Sequence, residues 1–148
     1  MKVAVLGIGN EMKSDDGIGL LAAEEFEKQI SEEHKTLLIN TNVPENYIGK
    51  IDKFGPDILM IFDAASFSGS PGDVKVIKNE DILDFSMSTH NTPLSIFFKA
   101  LNMKGVFLIG IQIKNTEFDG RISEEVISSL PQAVSLGAKI VKEACILF

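Results

Sequence analysis

The sequence predicts an α/β fold, a three-layer sandwich in which helices cover both faces of a twisted, mostly parallel sheet of five strands. Two observations lead to this prediction. Short apolar segments, each bounded by polar turns, alternate along the chain with segments of helical spacing. One further segment alternates between apolar and polar residues, which is typical of a strand with one solvated face, and we expect it to be an antiparallel edge strand.

Four of the five predicted strands are continuous apolar segments, as expected for strands buried on both faces. They are residues 2–7 (KVAVLG), 36–40 (TLLIN), 58–62 (ILMIF) and 105–113 (GVFLIGIQI). The predicted edge strand is residues 73–78 (DVKVIK).

The segments between these strands have the spacing and the start signals of helices. Residues 16–29 place Ile18, Leu21, Ala22 and Phe26 near one face. A helix over 44–53 is predicted because Pro44 suits a first helical turn.

Two more helices are predicted towards the C-terminus. Thr92 and Pro93 have the pattern of an N-cap followed by a first helical residue, and this helix should run to about Leu101. Ser123 should cap a short helix. Pro131 should then begin a longer one that turns Val134, Ala138 and Val141 inward.

Length, charge and cysteine content narrow the class of protein. The 148 residues suit one domain spanning 1–148, and the net charge of −7 argues against a nucleic-acid partner. The only cysteine, Cys145, allows no internal disulfide and suits the cytoplasm. The N-terminal apolar segment is too short for a signal peptide, and no apolar run is long enough to cross a membrane.

The glycine-rich loop GIGNEMKSDDGIG, residues 7–19, follows the first strand, where many folds bind a phosphate. Gly7 and Gly9 fit the dinucleotide-binding pattern, but Met12 stands where its third glycine belongs. Asp15 and Asp16 add negative charge where an anion would bind. A nucleotide is therefore disfavoured. Simple capping of the following helix is the alternative explanation for the two aspartates.

Two other predicted strands lead to chemically active residues. Asp63 directly follows the apolar segment 58–62, and His90 lies in the loop before the helix predicted at Thr92. In parallel sheets ligands bind at the carboxyl ends of strands, so Asp16, Asp63 and His90 are expected at one edge. His34, within EEHK, is expected on a solvated surface and uninvolved.

Two carboxylates and an imidazole suit a borderline divalent cation such as nickel, zinc, cobalt or manganese, with coordination positions left open. Two close carboxylates without a cation repel one another, which makes an acid–base dyad the competing interpretation. Cys145 is a poor nucleophile candidate because its apolar neighbours disfavour the charged thiolate.

Three separated motifs resemble one known family. GIGN-x4-DDG-x-G at 7–19, FDA at 62–64 and STHNTPL at 88–94 are similar to the [NiFe]-hydrogenase maturation endopeptidases, specifically the branch that processes formate-hydrogenlyase-type hydrogenases. FLIGIQI at 107–113 and PEN at 44–46 are similar as well, so the resemblance spans residues 1 to about 118.

The resemblance implies a function, a partner and a metal. Such enzymes remove a C-terminal extension from the hydrogenase large-subunit precursor after nickel has been inserted into it. The family's nickel-binding and catalytic positions match Asp16, Asp63 and His90, and the nickel is delivered by the substrate. The chain departs from the family at Asn40-Thr41-Asn42, where an acidic residue and two glycines are usual. Asparagine cannot act as a general base at neutral pH, so either that role is dispensable or this protein cleaves weakly or recognises a different precursor.

Other functions remain open from the sequence. A metallohydrolase with a resident metal would purify with stoichiometric metal. A nickel carrier that never cleaves would transfer metal without shortening the precursor. A nucleotide binder would be stabilised by nucleotides.

Overall fold

A computed structural model of the chain describes residues 1–78, 81, 105–118 and 120–147. The strands are β1 (Lys2–Ile8), β2 (Lys35–Thr41), β3 (Ile58–Ala65), β4 (Val74–Lys78) and β5 (Val106–Gln112). The helices are α1 (Ile18–Gln29), α2 (Ile48–Phe54), α3 (Glu124–Ile127) and α4 (Leu130–Leu147). Short 3-10 helices, Ser14–Gly17 and Pro44–Tyr47, lead directly into α1 and α2.

The strands form one mixed sheet in the order β2-β1-β3-β5-β4. β1 pairs in parallel with β2 and with β3, and β3 pairs in parallel with β5. Among the strands that the structure describes, only β4 is antiparallel, and it lies at the edge beside β5. The predicted fold class and its antiparallel edge strand are confirmed. The partner of β4 is β5, although β4 follows β3 in the chain.

Alternating residues of the strands build two separate apolar cores. Val3 and Val5 of β1 pack in one core with residues of α1 and α4. Ala4 and Leu6 of the same strand face the opposite core, which Ile51 of α2 completes. Because a sheet hydrophobic on both faces must be covered on both, the result is the predicted three-layer sandwich.

The rings of Phe26 and Phe62 join α1 to the sheet at the centre of the first core. Their centroids lie 5.2 Å apart, both side chains are fully buried, and each contributes about 1.5–3 kcal/mol by burial. Helix α4 packs closely against Phe26 because its residue 137 is glycine. A Cβ at residue 137 would lie 2.9 Å from the Phe26 ring. Of the four inward positions predicted for α1, Ile18, Ala22 and Phe26 are fully buried, whereas Leu21 is only partly buried.

Helix starts differ in detail from the predictions. The helices predicted from residues 16 and 44 both begin as 3-10 turns. Pro131 lies in the first turn of α4, as predicted, and Val134 and Val141 are buried. Ser123 occupies the N-cap position of α3, but its side chain makes no capping bond to that helix. Gly55 ends α2 with a φ of 64°, a conformation that glycine adopts without strain.

The helix predicted from Thr92 to about Leu101 lies outside the described residues. Among the helices that the structure does describe, none combines the length and the apolar character that crossing a membrane requires.

Candidate active site

The candidate site is built where β1 ends and α1 begins. Ile8, the last residue of β1, lies opposite Asp63 in the parallel pairing of β1 with β3. Gly19 of α1 packs directly onto this pair. A Cβ at residue 19 would contact the Ile8 carbonyl oxygen and lie 2.6 Å from the Phe62 oxygen and 3.1 Å from the Asp63 Cα. The helix start therefore lies against the carboxyl ends of two strands.

Asp16 lies in the 3-10 turn three residues before Gly19, and residues three apart share one side of a helical segment. Its side chain is only 6% exposed, and its Oδ2 accepts a hydrogen bond of 3.0 Å from the backbone N–H of Asn10. A Cβ at residue 9 would collide with the Asp16 carbonyl oxygen, which explains the glycine there. The second glycine of the loop thus lets the chain fold over Asp16, and no phosphate is needed to explain it.

Asp63 is buried to 1% exposure. It was predicted to follow the third strand, but β3 continues through Ala65, so Asp63 lies within the strand. Strand pairing extends past the aspartate, with Asp63 opposite Gly110 of β5. This places the carboxylate on the sheet framework itself. A carboxylate buried to this degree requires hydrogen bonds or an opposite charge.

The third predicted ligand, His90, lies outside the described residues, so the Asp16–Asp63–His90 set stays a prediction. Within ranges 1–78, 105–118 and 120–147, no three histidine, cysteine, aspartate or glutamate side chains are grouped as a metal site. Asp16 and Asp63 are two of the three predicted ligands, and both are buried. The start of α1, which follows Asp16, packs at Gly19 against the backbone of Asp63.

Asp15 has a different role from its neighbour. It is fully buried, and its Oδ2 accepts hydrogen bonds from the backbone N–H groups of Lys114 and Asn115, each 2.8 Å long. Ser123 adds its backbone N–H to Oδ1 at 2.6 Å and its hydroxyl to Oδ2 at 3.0 Å. The carboxylate therefore fastens the site loop to a segment a hundred residues away.

The backbone of the same turn reinforces this attachment. The Asp15 N–H donates to the Asn115 carbonyl at 3.0 Å, and the Ser14 hydroxyl donates to the Glu117 carbonyl. Ser14 has a φ of 49°, which non-glycine residues rarely adopt. Simple capping of the following helix is therefore not the role of Asp15. The Ser123 hydroxyl, predicted to cap α3, is used by Asp15 instead.

An ion pair borders this attachment. Lys114 Nζ lies 2.8 Å from Glu125 Oε2 at the start of α3. The hydrogen bond from Lys114 holds the pKa of Glu125 below its usual value. The same bond raises the pKa of Lys114.

Gln112, the last residue of β5, is a structural residue that the sequence analysis did not single out. Its Oε1 accepts from the backbone N–H groups of Phe67 at 2.8 Å and Gly69 at 3.2 Å. Its Nε2 donates to the Ile113 carbonyl at 3.1 Å. The signal for it was available, since a polar residue near the end of an apolar strand is the pattern that identified Asp63.

Cys145 and His34 lie at the other end of the sheet. Cys145 is exposed, and its Sγ is 3.7 Å from His34 Nε2. His34 immediately precedes β2 and approaches the N-terminal amine of Met1, so it marks the amino ends of the parallel strands. Apolar side chains, including Phe26, Ile30 and Val141, line a pocket together with Cys145, although the cysteine itself is exposed. Cys145 nevertheless lies at the opposite end of the sheet from Asp63.

A groove of about 580 Å³ adjoins the site. Its lining combines the loop after β1, the first turns of α1 and the residues at the end of β2, and includes Gly9, Gly17, Glu24, Asn40 and Asn42. Asn40 lies opposite Gly7 in the pairing of β1 with β2, and a Cβ at residue 7 would collide with its Oδ1. The first glycine of the loop therefore makes room for the Asn40 side chain.

Comparison with known proteins decides the family. A family model described as hydrogenase maturation protease matches residues 20–140. The chain belongs to the hydrogenase maturation protease family. It is therefore a peptidase of hydrogenase maturation.

Individual members of the family are similar over most of their length. A hydrogenase maturation protease homologue of Methanocaldococcus jannaschii is 34% identical over 96% of this chain and 89% of its own. The Escherichia coli hydrogenase 3 maturation protease is 34% identical over 76% of this chain and 73% of its own. The [NiFe] hydrogenase maturation protease HycI from Thermococcus kodakarensis has the same fold, with a TM-score of 0.78, 30% identity and coverage of 95% and 92% of the two chains.

Proposed function

We propose that this protein removes the C-terminal extension of a [NiFe]-hydrogenase large-subunit precursor after nickel insertion, and that the nickel carried by the precursor is its recognition anchor. Membership of the maturation protease family supports the reaction class. The site is supported by the burial of Asp16 and Asp63 together with the packing of Gly19, at the start of α1, against the Asp63 backbone.

The proposed role of Asp16, Asp63 and His90 is to bind the nickel of the precursor and thereby to position the peptide. Nickel in the precursor is part of the substrate, and carboxylate and imidazole side chains are suitable ligands for this divalent cation. A precursor without nickel offers them no cation, which accounts for selectivity. Holding the reacting groups in place can supply on the order of 7–11 kcal/mol of a barrier.

The bond cleaved is a peptide bond, so one water molecule is consumed. Its oxygen adds to the carbonyl carbon, and its two protons are shared between the new carboxyl group and the departing amine. Asp16 or Asp63 could accept the proton from the water as general base. Activation of the water at the metal of the substrate is the second possibility, and the experiment below does not depend on the choice.

The proposal is tested with purified precursor in two forms, nickel-loaded and nickel-free, and intact mass as the readout. We expect shortening of the loaded form alone, and loss of shortening in His90→Ala but not in the matched variant His34→Ala. Equal cleavage of both forms would contradict the anchor. Cleavage by His90→Ala at the wild-type rate would remove His90 from the site.

The same experiment separates two other functions. A nickel carrier would take nickel from the precursor without changing its mass. A metallohydrolase with a resident metal would purify with one equivalent of metal before any precursor is added. The single cysteine, which suits a reducing compartment, supports placing the reaction in the cytoplasm.

A further inference from the structure

The groove beside Asp16 has an acidic and partly apolar lining. Its carboxylates come from Glu11 and Glu24, and its apolar part includes Leu20, Leu21 and Ile122. Among the described residues that line it there is no lysine, arginine or histidine. Lysine and arginine side chains combine an apolar stem with a charged head, so this lining matches them in both respects.

Glu24 is exposed at the groove wall, and the side-chain amide of Asn40 orients its carboxylate. Asn40 Nδ2 donates to Glu24 Oε1 at 3.0 Å and to the Leu20 carbonyl at 3.3 Å. Both acceptors belong to α1, so the amide of Asn40 ties the end of β2 to that helix. An aspartate at residue 40 could donate neither bond and would repel Glu24. Because residue 40 is an asparagine, the carboxylate on this side of the groove is that of Glu24 in α1.

We propose that Glu24, positioned by Asn40, binds a lysine or arginine side chain of the precursor segment that enters the groove. This inference rests on the proposed function, because the occupant is a segment of the precursor. The groove begins at Gly9 and Gly17, which flank Asp16 in the chain. A segment bound there would run alongside the loop that carries Asp16. Glu24 is thus a specificity residue, and Asn40 is a positioning residue that acts through it.

The test measures kcat and KM for cleavage of nickel-loaded precursor. We expect Glu24→Gln to raise KM about fivefold with kcat almost unchanged, as for loss of an exposed charged hydrogen bond. Glu24→Lys should raise it further. Asn40→Ala should raise KM less than Glu24→Gln, and the double variant should be no worse than Glu24→Gln alone, because Asn40 acts through Glu24.

Charge reversal identifies the partner group. Each lysine and arginine of the precursor segment around the cleaved bond is changed to glutamate in turn. We expect one of these precursors to be cleaved poorly by the wild type and to be rescued by Glu24→Lys. Glu25→Lys is the matched control, since Glu25 is the next residue of the same helix and pairs with Lys28 instead. It should change neither KM nor the rescue.

Two results would overturn the inference. The first is a KM for Glu24→Lys equal to that of Glu25→Lys. The second is an equal rise of KM in Arg121→Gln and Glu24→Gln, which would make the groove's cation the chain's own, since Arg121 lies between two lining residues. In both cases the wild type would still shorten the loaded precursor. Absence of shortening by the wild type would instead overturn the proposed function.

Discussion

Gly19 lies so close to Asp63 that a Cβ at residue 19 would be 3.1 Å from the Asp63 Cα. The same Cβ would also contact the carbonyl oxygens of Ile8 and Phe62. These neighbours are backbone atoms of paired strands, which cannot move aside as a flexible side chain can. Because residue 19 has no side chain, the start of α1 can pack directly against β3 at Asp63.

We predict that Gly19→Ala destabilises the protein by about 3 kcal/mol, because the added methyl group must push the helix away from the strands. Gly49→Ala is the matched control, since Gly49 lies in α2 with nothing within 4 Å of its Cβ position. That change should stabilise by about 0.5–1 kcal/mol. Urea unfolding measures both, and equal effects would show that the contact at Gly19 does not matter.

Asp15→Asn should cost about 2–4 kcal/mol, because an amide cannot accept all four of the hydrogen bonds that this buried carboxylate receives. Asp57→Asn provides a comparison. Asp57 is exposed and accepts one backbone bond, from Lys2, so its loss should be about 1 kcal/mol or less. Similar values for the two variants by denaturant unfolding would contradict the structural role of Asp15.

Asp16→Asn should separate function from stability. Its amide oxygen can still accept the bond from Asn10, so we expect a small change in unfolding free energy. Cleavage should nevertheless fall by about 100-fold or more if the carboxylate binds the substrate metal or accepts a proton. Circular dichroism during thermal unfolding and a cleavage assay on the same sample give both values. Retained cleavage would restrict Asp16 to holding the loop.

The Lys114–Glu125 ion pair should make stability depend on pH in a defined direction. The pKa of Glu125 is lowered in the folded state, so its stabilisation is present above the ordinary value of 4.5 and is lost as the pH falls through the folded value. The pKa of Lys114 is raised, so its contribution is present below 10.5 and is lost only at higher pH.

Lys114→Met should therefore lower the melting temperature slightly at neutral pH, and the difference from wild type should disappear as the pH falls through the lowered pKa of Glu125. Lys139→Met is a suitable comparison, because Lys139 Nζ lies 4.0 Å from Glu143 and both side chains are well exposed. Its effect should be smaller at every pH. A Lys114→Met difference that persists undiminished in acid would show that the ion pair is not its cause.

The sheet and its covering helices could be predicted from the sequence because apolar residues recur with a different spacing in buried strands, edge strands and helices. Apolar runs such as 58–62 can only be buried, and Val74–Lys78 shows the alternation of an edge. The partner of β4 could not be predicted, since no local pattern states whether an edge strand lies beside β3 or β5. The predicted bounds of β1, β2 and β3 were short by one to three residues at an end, most of all at β3, where pairing continues through Asp63 to Ala65. The bounds predicted for β4 and β5 were one residue too long at an end.

Asp15 and Asp16 show where the sequence is insufficient. They are adjacent, identical in chemistry and both buried, and only the segment from Lys114 to Ser123 distinguishes their roles. That segment is a hundred residues away, so no spacing rule connects it to the loop. The structural role of Gln112 could have been predicted from its position near the end of an apolar strand. The hydrogen bond from Asn40 to Glu24 could not, because it depends on side-chain directions that the sequence does not specify.

The central claim is that the buried carboxylate of Asp63 takes part in cleaving a nickel-loaded precursor. The most direct measurement is the single-turnover rate of that cleavage by Asp63→Asn beside Asp57→Asn, with both proteins shown to be folded. The account predicts a loss of about 100-fold or more for Asp63→Asn and a rate within about twofold of wild type for Asp57→Asn. Cleavage by Asp63→Asn at the wild-type rate would contradict it.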